Sequence, residues 1–219
     1  VFPAGLKSKD GVWTSTRQNV DIVAWNTNLV KPGEEPKSYD ELADPKWKGK
    51  MLVEADDIEM FAGLVDGKFG GSLEKATDWL RKVGANNPEP HKGHTETTEL
   101  LAAGQGHVFL GAYGHRIETL KKKKAPLEWM KQEGVQLLQV GGVTKNAPHP
   151  NAARFFMNWL LGDEGQEAIS KIGRIPSRPG VKLEIDFFAH GTKWYSAPPE
   201  LAKNFNAYSK AWKEALNLR

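Results

Sequence analysis

The middle third of the chain, from Pro45 to Trp129, alternates β-type runs with amphipathic helical runs. In order, it contains a strand, a loop, a helix, a polar loop, a helix, a strand and a loop of glycine, tyrosine, histidine and arginine. Such a series brings several loops and helix N-termini to one rim of a sheet, where open α/β sheets bind their ligands. The pattern therefore predicts an α/β fold with a ligand-binding edge.

Local patterns predict where the regular elements lie. Residues 72–83 repeat apolar side chains at helical spacing, and the part of the chain after residue 150 is predicted to be helical. Short runs rich in β-branched and aromatic residues predict the strands. These runs are Val20–Trp25, Lys50–Ala55, Gly106–Tyr113 and Val135–Val143.

Several polar and proline positions are typical of helix starts. Ser38 precedes a short helical run, and Thr95 precedes a helix that is predicted to end at Ala103. Asp163 and Gln166 have the spacing of a capping box. Pro198–Pro199 is predicted to open the last helix.

Composition excludes several classes of function. The net charge is +3, which favours neither a nucleic-acid surface nor a strong attraction to membranes. The basic run Lys121–Lys124 lies at the end of a predicted helix, where lysines suit the negative end of the helix dipole. Because the chain has no cysteine, disulfides and thiolate chemistry are excluded.

The first candidate site follows the predicted strand Lys50–Ala55. Asp57 and Glu59, with Asp56 beside them, place carboxylates at the expected sheet rim, where they can attract a metal or an amine. The alternative is a structural role, because Asp is preferred at helix N-caps and Glu suits the first turn. Both interpretations stay open.

A second candidate site follows the most apolar predicted strand. Tyr113, His115 and Arg116 offer a phenolic oxygen, an imidazole and a bidentate anion clamp. Gly111 and Gly114 allow the backbone to approach a ligand closely. These polar groups lack a helical stripe that would explain them, so we expect this loop to be functional.

Four longer phrases resemble a known family in combination. The chain is similar to the family 1 extracellular solute-binding proteins of ABC-type importers, in the group that includes ferric-ion-binding proteins. The similarity covers most of residues 10–181. The phrases are GVWTSTRQNVDIVAWNTNLV, PKSYDELADPKWKGKMLVEADD, ELLAAGQGHVFLGAY and GVTKNAPHPNAARFFMNWLLGDEGQEAISKIGRIPSRPGV.

This resemblance implies a type II periplasmic-binding-protein-like α/β fold, with two lobes joined by hinge strands and the ligand between them. Residues 26–136 would form one complete lobe, the second lobe, which faces the ligand. Residues 1–25 and 137–219 would supply the hinge strands, a remnant of the first lobe and the C-terminal helices.

Such proteins usually carry a substantial N-terminal segment before the hinge, and this chain has almost none of it. We therefore expect an incomplete first lobe whose apolar stripe, including Phe155, Phe156 and Trp159, is exposed. Large exposed apolar patches normally find a partner. We expect either a separate N-terminal segment or self-association to cover this one.

The resemblance also implies roles for further residues. His94 and Thr95, in the loop and helix start after His91, would face the cleft, where backbone N–H groups can bind an anion. His91 and His94 have a spacing that suits a metal, although solvated loop histidines are the alternative. Thr16 and Arg17 would lie in the hinge and hold an anion or a ligand carboxylate.

Ferric-binding relatives hold iron with two adjacent tyrosines at about the position of Tyr113. Here the neighbours of Tyr113 are Ala112 and Gly114, and this departure counts against iron. If iron is nevertheless the ligand, Tyr113 and His115 are the expected metal ligands.

The function implied is a solute receptor that captures a small molecule or ion and delivers it to the membrane subunits of an importer. It would work without a cofactor and without catalysis, in the periplasm or outside the cell, membrane-anchored in a Gram-positive source. One alternative is a ferric-ion-binding protein. Others are a metal-dependent hydrolase that uses the histidines with Asp56 and Asp57, and a lone interaction domain.

Overall fold

Strands and helices alternate along residues 5–197 and 201–218, the part of the chain that this computed structural model describes. The strands are β1 (Thr14–Asn26), β2 (Met51–Glu54), β3 (Glu89–His91), β4 (Val108–Tyr113), β5 (Leu127–Trp129), β6 (Glu133–Gly141), β7 (Ile175–Pro176) and β8 (Lys193–Ser196). The α-helices are α1 (Ile58–Gly63), α2 (Leu73–Gly84), α3 (His94–Ala102), α4 (Gly114–Lys122), α5 (Pro150–Leu161), α6 (Asp163–Lys171) and α7 (Leu201–Ala215). The predicted α/β class is confirmed.

Shorter helical turns complete the list of elements. They are two 3₁₀ helices at Asp40–Ala43 and Pro45–Trp47 and a π-helical turn at Leu64–Lys68. Among the described residues, no helix combines the length and the apolar character that a membrane span requires.

The described residues form two compact units. The smaller unit contains the residues up to Asn19 together with Leu138–Asp186, and the larger one contains Val20–Leu137 and the residues from Phe187 onward. Strands β1 and β6 each contribute residues to both units. The predicted lobe boundaries near residues 26 and 136 stay a prediction. The larger unit begins at Val20, six residues before the first predicted boundary, and its first segment ends at Leu137, one residue after the second.

The strand order of the sheet is β3-β2-β4-β1-β6-β8. Strand β2 runs parallel to both β3 and β4, while β1 runs antiparallel to β4. The carboxyl ends of the parallel strands β3, β2 and β4 therefore meet at one edge, which is where such sheets bind ligands. Glu54 and Tyr113 are the last residues of β2 and β4 at that edge.

The sequence of β2 and β4 explains why both lie inside the sheet. All four residues of β2 are buried, as are Val108–Ala112 of β4. Continuous apolar runs of this kind are typical of strands covered on both faces. Glu54 is only 6% exposed, so its carboxylate is carried into the interior by the apolar run before it.

Helix α7 completes the core of the larger unit. Tyr208, Trp212 and Leu216 are buried in the same cluster as Phe61 of α1 and Leu80 of α2. The Trp212 indole N–H donates to the Ala55 carbonyl at 3.1 Å. The prediction grouped residues 137–219 with the hinge and the first lobe. In the structure, the residues from Phe187 onward lie in the larger unit, because the aromatic side chains of α7 pack into its core.

In the smaller unit, the first half of β1 pairs antiparallel with β7. Gln166 of α6 is fully buried. Its side-chain amide N–H groups donate to the Thr16 and Leu160 carbonyls. Its side-chain oxygen accepts from the backbone N–H groups of Ser177 and Arg178. The predicted capping box is therefore wrong. Gln166 has its side-chain groups engaged by these four backbone partners, and Gly162 is the N-cap residue of α6, which has no side-chain capping bond.

Three smaller expectations also differ from the structure. Ser38 does not cap the short helix, whose N-cap residue is Tyr39. Thr95 is an exposed residue inside α3, because the helix starts one residue earlier, after Gly93. The predicted helix start at Pro198–Pro199 lies outside the described residues.

Helix α5 exposes the apolar stripe, as expected. Phe155 is 78% exposed, Phe156 55% and Trp159 43%, and no residue of α5 is buried. Cover by a separate segment or by a second copy stays a prediction.

We predict that Trp212→Ala destabilises the protein by about 3–5 kcal/mol, since it removes a buried aromatic side chain and leaves a cavity. The matched control is Phe205→Ala on the same helix, where the side chain is 44% exposed and the expected effect is small. Urea denaturation measures both. Equal, small effects would show that α7 does not belong to the core of the larger unit.

Candidate functional site

Three buried carboxylates meet at the ligand-binding edge of the larger unit. We call Asp21, Glu54 and Asp57 the acidic cluster; they are 0%, 6% and 4% exposed. A β-carbon added at Gly111 would lie 2.4 Å from Asp57 Oδ2 and 3.7 Å from Glu54 Cβ, so both acids approach the end of β4. Asp21 lies directly opposite Tyr113 in the antiparallel pairing of β1 with β4.

A β-bulge at Gly111 produces this arrangement. Ile22 pairs with Ala112 and Val23 with Leu110, so Gly111 is the extra residue of β4. Its φ of +101° lies in the region that favours glycine. Opposed residues of antiparallel strands present their side chains on the same face, so the bulge brings Asp21 and Tyr113 to one side of the sheet.

Asp57 is the N-cap residue of α1, directly after β2, but its side chain makes no capping hydrogen bond. Its Oδ2 atom has no hydrogen-bond partner. The helix-capping alternative for Asp57 therefore holds for its position, and the Met60 N–H in the first turn of α1 still lowers the pKa of its carboxyl. Glu59, the second residue of α1, is exposed.

Four carboxylate oxygens of the acidic cluster are buried without a hydrogen-bond partner: both of Asp21, Oε2 of Glu54 and Oδ2 of Asp57. The hydroxyl of Tyr39, which is fully buried in the same unit, also lacks a partner. Buried polar groups are normally hydrogen-bonded, and each exception costs free energy. This concentration of exceptions makes the acidic cluster the candidate binding site of the larger unit.

Burial raises the pKa of Asp21 well above its ordinary value, and the charges of Asp57 and Glu59 raise it further. Burial likewise raises the pKa of Asp57 well above its ordinary value. Glu54 adds to that effect, and the Met60 N–H opposes it. The folded protein therefore resists ionising these carboxyls together, and a cation placed between them would remove that resistance.

An aromatic pair borders the acidic cluster. The rings of His94 and Tyr113 are stacked, with centroids 3.8 Å apart and planes 15° apart. His94 Nδ1 lies 2.7 Å from the Gly111 carbonyl oxygen and donates to it, because a carbonyl only accepts. Burial lowers the pKa of His94, although the bond to Gly111 and the charge of Glu54 act in the opposite direction. The lowered pKa favours the neutral imidazole, in which Nδ1 carries the proton and Nε2 the lone pair.

The other predicted residues of this loop differ in their surroundings. His115 is buried, with its ring centroid 5.5 Å from that of Tyr113. Arg116 forms an ion pair with Glu99 of α3, so its guanidinium is engaged within the protein. Thr95 is exposed on α3. The structure thus brings Tyr113, His94 and His115 together.

Thr16 and Arg17 belong to the smaller unit. The Thr16 hydroxyl donates to the Gln139 carbonyl at 2.9 Å. Arg17 lies opposite Pro176 in the pairing of β1 with β7, and its buried Nε has no hydrogen-bond partner. Their predicted role in holding an anion stays a prediction.

Sequence reasoning missed Asp21, Glu54 and Tyr39. A weak signal was available for the two acids, since each lies in an otherwise apolar strand run, where a lone carboxylate is unusual. Gly114, the first residue of α4, has a different role from the one expected. A β-carbon there would lie 2.6 Å from Val20 Cγ2 and 2.7 Å from Phe187 Cε1, so the glycine is required by core packing.

Within residues 5–197 and 201–218, no group of three or more histidine, aspartate or glutamate side chains is arranged to hold a metal ion. Any metal ligand set at this edge would therefore draw on the phenol of Tyr113.

Comparison with known proteins identifies a family. Residues 3–203 match the family described as bacterial extracellular solute-binding protein. Iron uptake protein A2 of Synechocystis sp. is 28% identical over 208 residues, which cover 87% of this chain and 60% of that protein. The Fe(3+)-binding periplasmic protein of Serratia marcescens is 25% identical, over 73% of this chain and 49% of that protein. The chain thus spans less than two thirds of the length of these relatives.

Solved structures share the fold. The apo ferric ion-binding protein A of Pasteurella haemolytica superposes with a TM-score of 0.80 at 18% identity, over 98% of this chain and 72% of that one. The substrate binding protein of an ABC transporter from Agrobacterium tumefaciens gives 0.78 at 15% identity, over 98% and 70%. The predicted periplasmic-binding-protein-like fold is confirmed.

We predict that Asp21→Asn raises the melting temperature of the ligand-free protein at pH 8 and that this gain disappears near pH 4. A carboxyl whose pKa is raised by folding stabilises the folded state below its unfolded pKa, and this stabilisation is lost as the pH rises through the folded pKa. Asparagine stays neutral and avoids that loss. We expect a gain on the order of 1 kcal/mol, or about 2–4 °C.

Differential scanning fluorimetry over this pH range measures the effect, with Asp66→Asn, at an exposed aspartate, as the control. A lower melting temperature for Asp21→Asn at every pH would mean that Asp21 makes stabilising bonds in the native protein.

Proposed function

Because the chain belongs to the bacterial extracellular solute-binding proteins, we propose that it captures a solute for an ABC-type importer and binds it at the acidic cluster. The observation that carries this proposal is the set of four buried carboxylate oxygens without partners at the sheet edge. Unsatisfied groups of one charge indicate the opposite charge on the ligand. The solute is therefore positively charged where it contacts Asp21, Glu54 and Asp57.

The position of the cluster supports the same proposal. It lies where the parallel strands β2 and β4 end and where α1 and α3 begin, which is the usual ligand position in open α/β sheets. The stacked pair of His94 and Tyr113 adds an aromatic wall beside the carboxylates. Together they provide charge recognition and a surface for shape recognition.

The predicted ligand-facing lobe, residues 26–136, contains every one of these groups except Asp21. The larger unit begins at Val20 and includes it. We infer that the ligand-bearing surface starts on β1 rather than after it. Closure of a second lobe over this surface, delivery to importer membrane subunits, and a location in the periplasm or outside the cell are parts of the same proposal.

Ferric ion is a second candidate ligand. Two relatives are named for iron uptake and for Fe(3+) binding, and Tyr113 places a phenol beside His94 at the acidic cluster. Phenolate and carboxylate oxygens suit a hard trivalent ion. His94 and the buried His115 are the nitrogen donors nearest Tyr113 in this arrangement.

We also propose that the protein binds its solute without catalysing a reaction. Two of the relatives that match are named for uptake and for binding. The hydrolase alternative predicts that a bound solute is released in altered form. Native mass spectrometry of the purified protein, together with metal analysis, identifies the ligand and shows whether it is recovered unchanged.

We predict that Asp57→Asn weakens binding of the co-purified solute by about thirtyfold or more, because it removes a buried charge that faces the ligand. Isothermal titration of the stripped protein measures the affinity. Asp66→Asn makes the same chemical change at an exposed position and should bind like the wild type. An unchanged affinity for Asp57→Asn would place the binding site elsewhere.

If iron is the ligand, Tyr113→Phe removes the visible absorption band that phenolate coordination gives to Fe³⁺ and lowers the bound iron well below one per chain. The fold is retained, because only one hydroxyl is deleted. Tyr208→Phe is the control, since Tyr208 is a buried tyrosine in the core of the same unit, where its ring packs edge-on against Phe61. Full iron occupancy in Tyr113→Phe would show that the phenol of Tyr113 does not coordinate iron.

A further inference from the structure

We propose that the cationic group at the acidic cluster is an organic primary ammonium, held by Asp21 and Asp57 with Tyr39 beside them. This inference rests on the proposed function and narrows its ligand to one chemical class. It adds Tyr39, which no sequence motif singles out, to the residues that bind the ligand.

The number and origin of the unsatisfied atoms fit an ammonium group. An –NH₃⁺ carries three N–H donors and no acceptor. The acidic cluster offers four carboxylate oxygens without partners, and they come from three separate elements: β1, the end of β2 and the start of α1. Acceptors on separate elements suit donors that diverge, and Asp21 and Asp57, the two acids proposed to hold the ammonium, supply three of these four oxygens.

Tyr39 supplies an observation independent of the acids. Its side chain is fully buried, yet its hydroxyl has no hydrogen-bond partner. Burial raises the pKa of this phenol, and the charges of Asp21, Glu133 and Asp57 raise it further. The ring itself is fixed edge-on to Trp79, with centroids 6.1 Å apart. A phenol held in this way near a ligand can accept one ammonium N–H.

The charge of the site also favours a monovalent group over a trivalent ion. Burial and the neighbouring acids raise the pKa of Asp21 and of Asp57, which opposes the ionisation of both together. One ammonium needs only one ionised carboxylate to balance its charge, and a protonated aspartate still accepts a hydrogen bond through its carbonyl oxygen. A ferric ion would require several of them, and the phenol as well, to ionise together.

The stacked pair of His94 and Tyr113 fits the same class of ligand. Aromatic faces attract ammonium groups that have left water, and this contact is strongest in desolvated sites. Because the lowered pKa of His94 favours its neutral form, the ring does not repel a cation. The aromatic wall and the carboxylates therefore act in the same direction on an organic cation.

The test compares amines with their hydroxyl counterparts on the stripped full-length chain. The probes are ethanolamine, putrescine and 4-aminobutyrate, paired with ethylene glycol, 1,4-butanediol and 4-hydroxybutyrate, and ferric citrate is tested separately. We expect at least one amine to raise the melting temperature by several degrees and to bind in isothermal titration. Its hydroxyl counterpart should do neither at the same concentration.

Variants then locate the bound ammonium. Asp21→Asn should weaken binding of the active amine at least tenfold, and Tyr39→Phe should weaken it severalfold, whereas Asp66→Asn should bind like the wild type. Circular dichroism confirms that each variant is folded. Tyr39→Phe deletes a single hydroxyl, so it keeps the test decisive if the aspartate variant does not fold.

The outcomes separate this inference from the proposed function. Binding of ferric citrate with no response to any amine overturns the ammonium and leaves the solute receptor standing. If a hydroxyl counterpart binds as well as its amine, the ammonium proposal is overturned and the solute receptor still stands. The same conclusion follows if the folded Asp21→Asn variant binds the amine with unchanged affinity. No binding of any probe, with no co-purified ligand, overturns both proposals.

Discussion

The antiparallel pairing of β1 with β4 determines the position of almost every group at the ligand-binding edge. It sets β1 against a strand that is itself parallel to β2, so a residue from the middle of β1 meets residues from the ends of β2 and β4. The bulge at Gly111 adjusts the register by one residue, and Asp21 then faces Tyr113. Without that extra residue, the period of two in a strand would turn one of these side chains to the opposite face.

Folding of this sheet edge costs free energy, and the packing of the rest of the larger unit offsets that cost. Carboxylates without partners oppose folding, whereas the aromatic core formed by α1, α2 and α7 favours it. The indole of Trp212 bonds to the Ala55 carbonyl, two residues before Asp57. The same helix that completes the core therefore also fixes the backbone that carries an acid of the site. Binding sites are commonly less stable than their surroundings because their groups await a ligand.

The sequence predicted those features that depend on local pattern. The strands β2, β4 and β6, the helix α2 and the α/β class follow from apolar periodicity, and the exposed stripe on α5 follows from the resemblance to two-lobed proteins. The importance of Tyr113 was predicted because it follows a buried strand. Asp21 was missed because its role depends on the pairing of segments about ninety residues apart and on a bulge in that pairing. The helix start at His94 rather than Thr95 shows the usual uncertainty of element boundaries.

Long-range packing also explains why two residues have surroundings that the sequence did not indicate. Arg116 resembled a free anion clamp in the sequence, but α3 brings Glu99 to it. Gln166 resembled a capping residue, but its burial between backbone groups gives it four different partners. In both cases the residue type was suited to the predicted role, and a distant segment supplied a stronger interaction.

The packing of Gly114 limits how this protein can change its ligand during evolution. No side chain fits at position 114 while Val20 and Phe187 hold their places, and Ala112 is fully enclosed on the other side of Tyr113. The junction of β4 and α4 can therefore present one phenol and no second one. The acids on β1, β2 and α1 are not limited by this packing, so under the proposed function their exchange would alter the charge of the edge and leave the aromatic wall unchanged.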